Sequence, residues 1–339
     1  MTTADGVTIT QSDNIWNGSP GTVFEGSMES IRWHIPVYER RTFGTELMPL
    51  SQNSIDPLFE TPSSVSGINH FHDVIVRMPL NSSDSEIPVG IVSKQYALIQ
   101  HRRLFDEAKT AIKRAGVEPS EIKARLEMTA FGERMRIGLL LPERFDLDLN
   151  LKDDKMGLRL ECFNSVDGSM KFTCVIGWLR FVCSNGLVVG VADTYYKQRH
   201  NRFLEMNDIA AMLGAGIEAT TRERDTYLAW SKKKVTETKL EQWTNKHLAK
   251  RWGVKAATRT WHITRSGHDI TFADPFEKGL ATEKSVYFGE AVAGAVQPGD
   301  TVYAVAQSLA WLAKERRDIQ EQLQMKREIH DLLKPLLGR

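Results

Sequence analysis

Cysteine is scarce in this chain, and its three occurrences, Cys162, Cys174 and Cys183, all lie within one apolar region. An odd number so placed suits buried free thiols in a reducing compartment better than a disulfide framework. Net charge is also nearly absent, since 44 Lys and Arg face 43 Asp and Glu, leaving +1. Attraction to nucleic acid or to a membrane surface therefore has to come from local clusters. No apolar run approaches the roughly 20 residues of a membrane helix. The start, MTTADGVTITQSDN, lacks the basic and apolar parts of a signal peptide. These absences point to a soluble cytoplasmic protein with no membrane partner.

Catalytic signatures are missing as well. Neither GxxxxGK[ST] nor GxGxxG occurs, and the nine histidines include no HxxxH or HExxH pair. His70 and His72 would share one face of a strand beside Asp73, a conceivable metal pair without a third ligand, and a surface pair is the plainer reading. Cys183 stands near Asn185, but spacing supplies no histidine partner for a thiol nucleophile, so a buried inert cysteine is expected. The acidic residues Asp146, Asp148, Asp153 and Asp154 lack the glycine and terminal glutamate of a calcium loop and read as a solvated loop. No catalytic residue, metal or cofactor is expected, and the protein is read as non-enzymatic.

What is present is a change of pattern along the chain. Residues 1–30 are rich in Thr, Ser, Asn and Gly and read as a loosely ordered arm, in which Trp16 is a natural anchor on a neighbouring subunit. From 31 to 190 strand patterns dominate. FHDVIVRMPL alternates, and VGIVSKQYALI leads into the amphipathic helix HRRLFDEAKTAIKRAG, which Gly116 closes. Two hairpins follow, turning near Gly132–Glu133 and at Asp167–Gly168. The fold class expected is α+β, an antiparallel β-meander with packed helices followed by a mainly helical half at 191–339. In that half, residues 197–259 hold 14 Lys or Arg against 7 Asp or Glu, with Trp230, Trp243, Trp252 and Trp261 between them. A last helix runs from about Thr301 to Leu333, with Val302, Val305, Leu309, Leu312 and Ile319 on one stripe.

Local basic clusters are the strongest functional signal. They are His101-Arg102-Arg103 at a helix entrance, Arg134 and Arg136 in a hairpin, Lys171, and the run from Lys197 through Arg199 and His200 to Arg202. Tyr195, Tyr196 and Phe203 flank the last of these, which joins cations to stacking rings as single-strand binding requires. The alternative is a solvated helix end. The lysines Lys232 to Lys234 read as a solvated face. Arg180 sits in the apolar segment FTCVIGWLRFVCSNGLVVG, where a charge needs a partner. Arg180 and Asn185 read as fixing the junction between the two halves, with direct ligand contact as the alternative.

The run GIVSKQYALIQHRRLFDEA, a meander, LRFVCSNGLVVG and YYKQRHNRF together resemble the phage/plasmid-like protein family, domain of unknown function 932. The residues that carry the resemblance are Val92, Ser93, Tyr96 and Ile99; Arg180, Cys183, Asn185, Gly186 and Leu187; and Arg199 with His200. It covers about residues 70–330 and implies a mobile genetic element without naming an activity. In outline the pattern is also similar to single-strand annealing proteins, a likeness of fold alone. The expectation is a homo-oligomer that binds single-stranded DNA for annealing or recombination. Arg102, Arg103, Lys171, Arg180, Lys197, Arg199 and Arg202 would neutralise phosphates, Tyr195 or Tyr196 would stack a base, and His200 belongs to the same nucleic-acid-binding set. The alternative is a protein-interaction factor that binds a host nuclease or CRISPR component as an anti-defence protein.

Overall fold

The computed structural model describes residues 5–16, 19–46, 66–148, 155–180, 187–189, 195–198, 200, 214, 218, 224–271 and 287–338. In chain order the elements begin with β1 (Thr8–Trp16), β2 (Ser19–Ser27), α1 (Met28–Arg32), β3 (Tyr38–Glu46), β4 (Ser66–Arg77), β5 (Ile87–Ser93) and α2 (His101–Arg114). Next come β6 (Lys123–Thr129), β7 (Arg134–Leu140), β8 (Leu147–Asp148), β9 (Lys155–Ser165), β10 (Phe172–Arg180), β11 (Leu187–Val189) and β12 (Tyr195–Gln198). Helices α3 (Arg224–Lys232), α4 (Glu237–Trp243) and α5 (Ala249–Ser266), strands β13 (His268–Thr271) and β14 (Tyr287–Ala291), and helices α6 (Val302–Lys314) and α7 (Ile319–Leu337) follow. The protein is α+β, with its helices mostly in the C-terminal half.

The central antiparallel sheet runs β1-β2-β6-β7-β9-β10-β11, with β8 on β9 and β12 on β10. A second sheet, β3-β4-β5, and the β13-β14 pair complete the described strands. Both expected hairpins form, β6 with β7 and β9 with β10, and their turns carry Gly132 and Gly168. The N-terminal stretch differs from expectation. Instead of a loose arm, β1 and β2 pair antiparallel, and β2 pairs with β6 from Gly21↔Thr129 to Ser27↔Lys123. Val7, Val23 and Phe24 are buried there. The polar composition of β1 is that of a strand at the sheet edge, where one side faces water.

Alternation along the strands divides the sheet into two chemically distinct faces. Leu158, Leu160 and Cys162 of β9 and Cys174, Ile176 and Trp178 of β10 point into the main core. That core also takes Leu104, Phe105, Ala108 and Ile112 of α2, Tyr303 and Leu309 of α6, and Leu333 and Leu336 of α7. Among the described residues it takes side chains from Val7 to Leu336, from the strands and from the C-terminal helices alike. Cys162 and Cys174 face each other as buried free thiols, 2.9 Å apart at Sγ; Cys183 lies outside the described residues. The tryptophans also belong inside. Trp230, Trp243 and Trp261 are buried, and Trp243 donates from Nε1 to the Leu332 carbonyl at 2.8 Å. They hold the helices together rather than line a basic surface.

The final helix is two helices. Thr301 caps α6 by accepting from the Ala304 N–H, and Asp318 caps α7 by accepting from the Glu321 N–H. The Asp at the end of Lys-Glu-Arg-Arg-Asp supplies that second start, since a side-chain oxygen at the N-cap satisfies an orphan N–H.

The opposite face of the sheet buries charge. Arg136 donates to Glu161 at 2.7 Å and reaches Glu127 at 3.3 Å, while Arg159 lies 3.1 Å from Glu161. Arg159 is laid across Gly138, where an added Cβ would stand 2.1 Å from its guanidinium nitrogen. Burial would push the Glu161 carboxyl up, but Arg136, Arg159 and Lys326 outweigh it and hold it at about 2. Burial pushes Lys326, on α7, down to about 8. Partly buried Arg136 and Arg159 and buried Lys326 therefore act on Glu161 and Glu127, with Arg125 also donating to Glu127 at 2.8 Å, and the cations are in excess. Glu161→Gln should cost about 3–5 kcal/mol in urea unfolding, because it strands partly buried guanidinia. Lys326→Met should be neutral or stabilising, because it relieves the excess. Equal losses from both would show that packing, not charge balance, sets the cost.

Candidate nucleic-acid interface

Several of the expected binding residues are reached from one segment, Tyr96 to Arg103, which links β5 to α2. At one end of it, β12 pairs with β10 from Phe172↔Gln198 to Val175↔Tyr195. This places the backbone of Tyr195, Tyr196 and Lys197 beside the strand that Lys171 precedes. Just beyond β12, His200 is anchored to the same segment. Its carbonyl accepts from the Ala97 N–H at 3.2 Å, its Nδ1 meets the Ala97 carbonyl at 3.2 Å, and its ring stacks on Tyr96 with centroids 5.1 Å apart. A carbonyl can only accept, so Nδ1 carries the proton. Tyr96 and His200, far apart in sequence and both among the residues carrying the family resemblance, meet here.

Cations gather at this end. Arg40 donates to the Tyr96 carbonyl and lies 3.6 Å from Asp73, which also accepts from Lys94. Arg134 donates to Ser169 at 2.8 Å, beside Asp167, and Lys171 is exposed. Gly168, in the same turn, sits against the Tyr96 ring. Arg40 and Lys94 thus pair with Asp73, and Arg134 lies 3.9 Å from Asp167.

The other end is the entrance to α2. Its N-cap, Gln100, makes no side-chain cap, and the first turn has no acidic residue. The Gln100 amide instead bridges both backbone groups of Tyr38. Arg102 is half-buried and donates from Nε to the Ile35 carbonyl at 2.6 Å; Arg103 is exposed.

Two histidines expected in basic clusters are corrected by burial. His101 is fully buried, with Nε2 3.0 Å from the Gly132 carbonyl and Nδ1 2.8 Å from the Asn164 amide nitrogen. Nε2 must therefore donate, and Nδ1 accepts. Burial pulls its pKa down to about 3 and that of His200 to about 4. Both rings are buried and neutral at neutral pH, so neither adds positive charge to its cluster. Arg136, also assigned to a basic cluster, belongs to the buried charge network. Arg180 pairs through its backbone with Met156, and its side chain, like those of Tyr195, Tyr196 and Lys197, lies outside the description. Arg199, Arg202 and Phe203 lie outside the described residues, as does Asn185.

Further along, an open cleft of about 690 Å³ lies between α5 and α7, lined by Lys250, Arg251, Trp252, Arg316 and Glu328 among others. Arg251 and Trp252 both engage Glu328 there, at 2.9 Å each. The basic excess of residues 197–259 is partly neutralised in this way. His70 and His72 are both exposed. Among the described residues, no group of three or more His, Cys, Asp or Glu is placed to hold a metal ion. Among them also, no helix is long and apolar enough to cross a membrane.

Fold and site together define an α+β protein whose exposed cations flank a buried polar junction. The model of one family, domain of unknown function DUF932, matches residues 88–330, and the chain belongs to that family. No curated protein and no solved structure matches it.

The neutral histidines make stability depend on pH. Unfolded, each would take up a proton near 6.5; folded, neither does until about pH 4 and 3. Their contribution is complete above about pH 6.5 and falls by about 1.4 kcal/mol per pH unit for each ring below it. Urea unfolding between about pH 7 and 5 should show this slope. His101→Gln, which removes one titrating ring, should roughly halve it.

Proposed function

We propose that the protein is a non-enzymatic DNA-binding protein of a mobile genetic element, holding single-stranded DNA in a homo-oligomer for annealing or recombination. The observation that carries this reading is the convergence at Tyr96. The β10–β12 pairing and the His200 anchor draw Lys171 and the Lys197 backbone toward Arg40 and Lys94. Cations gathered where the second sheet approaches the paired ends of β10 and β12 suit a phosphate backbone, whose neutralisation releases counterions and makes binding sensitive to salt. No base-specific element is required, so the affinity is read as sequence-tolerant.

Titration of labelled single strands at low and high salt tests the proposal. Binding should be present at low salt and weaken steeply as salt rises; absence of binding, or salt-independent binding, overturns it. Replacing Lys197, Arg199 and Arg202 together by Ala should lower affinity and flatten the salt slope by about one for each lost phosphate contact.

A second reading draws on a different surface. Ile68, Phe71 and Ile91, on β4 and β5 of the second sheet, are large apolar residues left exposed. Such a surface suits a protein contact, as an anti-defence factor bound to a host nuclease or CRISPR component would need. Capture from nuclease-treated lysate separates the two readings. A stoichiometric protein partner that survives the treatment favours the second.

A further inference from the structure

Beside the entrance to α2 lies a surface that none of the basic clusters suggested. Trp33 is 69% exposed and Phe131 is 55% exposed, both unusual for rings of that size. They belong to separate elements that the fold holds together. Trp33 ends α1, three residues before Pro36. Phe131 sits in the β6–β7 turn next to Gly132, whose added Cβ would stand 3.2 Å from the Pro36 ring and 2.8 Å from the Tyr38 hydroxyl. The Tyr38 hydroxyl donates to the Gly132 carbonyl, and His101 does the same from the first turn of α2.

Guanidinia lie on the Trp33 side of this surface. Arg32 lies 5.9 Å over the Trp33 ring and is neutralised by a bidentate pair with Asp106. Arg102 grips the Ile35 carbonyl, two residues from Trp33, and Arg103 follows it on the exposed side. Among the described residues, no carboxylate forms an ion pair with Arg102 or Arg103. Both cations stand in the first turn of a 14-residue helix, at the positive end of its dipole, where cations are disfavoured and anions are favoured. Burial pulls the Arg102 guanidinium down and neighbouring Arg32 adds to the effect, while Asp106, which is paired with Arg32, opposes it.

We propose that Trp33 and Phe131 form a base-stacking platform for single-stranded nucleic acid, with Arg102 and Arg103 neutralising the adjacent phosphates. Exposed rings beside unpaired guanidinia fit a ligand that alternates flat π-faces with negative charge, as a single strand does. An apolar protein surface would leave the two arginines without counter-charge, and a duplex keeps its bases stacked inside. The platform deepens the proposed single-strand binding and rests on it.

The test uses the full-length chain, a labelled oligothymidine strand and an abasic strand of equal length. The Trp33→Ala, Phe131→Ala double variant should bind the thymidine strand roughly 10- to 100-fold more weakly with its salt slope kept, because stacking is lost while phosphate contacts remain. The unaltered protein should prefer the thymidine strand to the abasic one, and the double variant should lose that preference. Trp33→Phe with Phe131→Tyr should restore it. Both sites are exposed, so matching thermal melts confirm that the variants fold. If the unaltered protein binds single strands and the double variant binds them equally well, the platform is overturned and the proposed function stands. If the unaltered protein binds no single strand, the proposed function fails and the platform with it.

Discussion

Two buried donors, the Tyr38 hydroxyl and the His101 Nε2–H, converge on the carbonyl of Gly132. Each comes from a different part of the chain, Tyr38 from the second sheet and His101 from the start of α2. The acceptor is the turn of the central sheet's β6–β7 hairpin. Gly132 has φ 76°, a left-handed conformation that side chains resist, and Tyr38 and Pro36 fill the space a Cβ would need. A turn residue with any other side chain would meet both obstacles at once. The Asn164 amide secures the other side of His101 and also donates to the Ile99 carbonyl, so the imidazole has a partner for each nitrogen. Two sheets and a helix are thereby fixed to one carbonyl.

Much of the fold was legible because its signals are local. The Asp167–Gly168 and Gly132 turns, the amphipathic α2 and the alternating β4 each follow from the spacing of neighbouring residues. The sheet edge at residues 8–27 was not legible, because Thr and Ser are equally at home in a solvated strand and a loose arm. Its burial depends on a partner, β6, a hundred residues away. The tryptophans failed for a related reason. Sequence shows that Trp243 lies among charges, but only the folded chain shows the Leu332 carbonyl that its indole N–H finds.

The candidate interface was legible to a different degree at its two ends. Arg103 and Lys171 are exposed, as a phosphate contact requires, and charge alone marked them. His101 and His200 carried the same mark and turned out to be buried. A histidine in a basic run reads as a cation, yet at neutral pH its protonation depends on burial that the run does not encode. Trp33 and Phe131 gave no signal, since each stands alone in its segment and they gain meaning only beside Arg102. No spacing rule joins residues 33, 102 and 131.

The two kinds of arginine in this protein differ in what answers their charge. Arg136 and Arg159 are deep in the sheet's second face, where Glu161 and Glu127 compensate them and where an exchangeable ligand would first have to displace those carboxylates. Arg102 and Arg103 stand at a helix start whose dipole opposes them, and nothing acidic occupies that turn. Two cations there cost about 0.3–1 kcal/mol each at an exposed site. That is too small to unfold a domain, but it has the sign that an incoming anion reverses. Arg136 and Arg159 are thus held by carboxylates of the fold, whereas Arg102 and Arg103 are left to the anion that the proposed platform would bring.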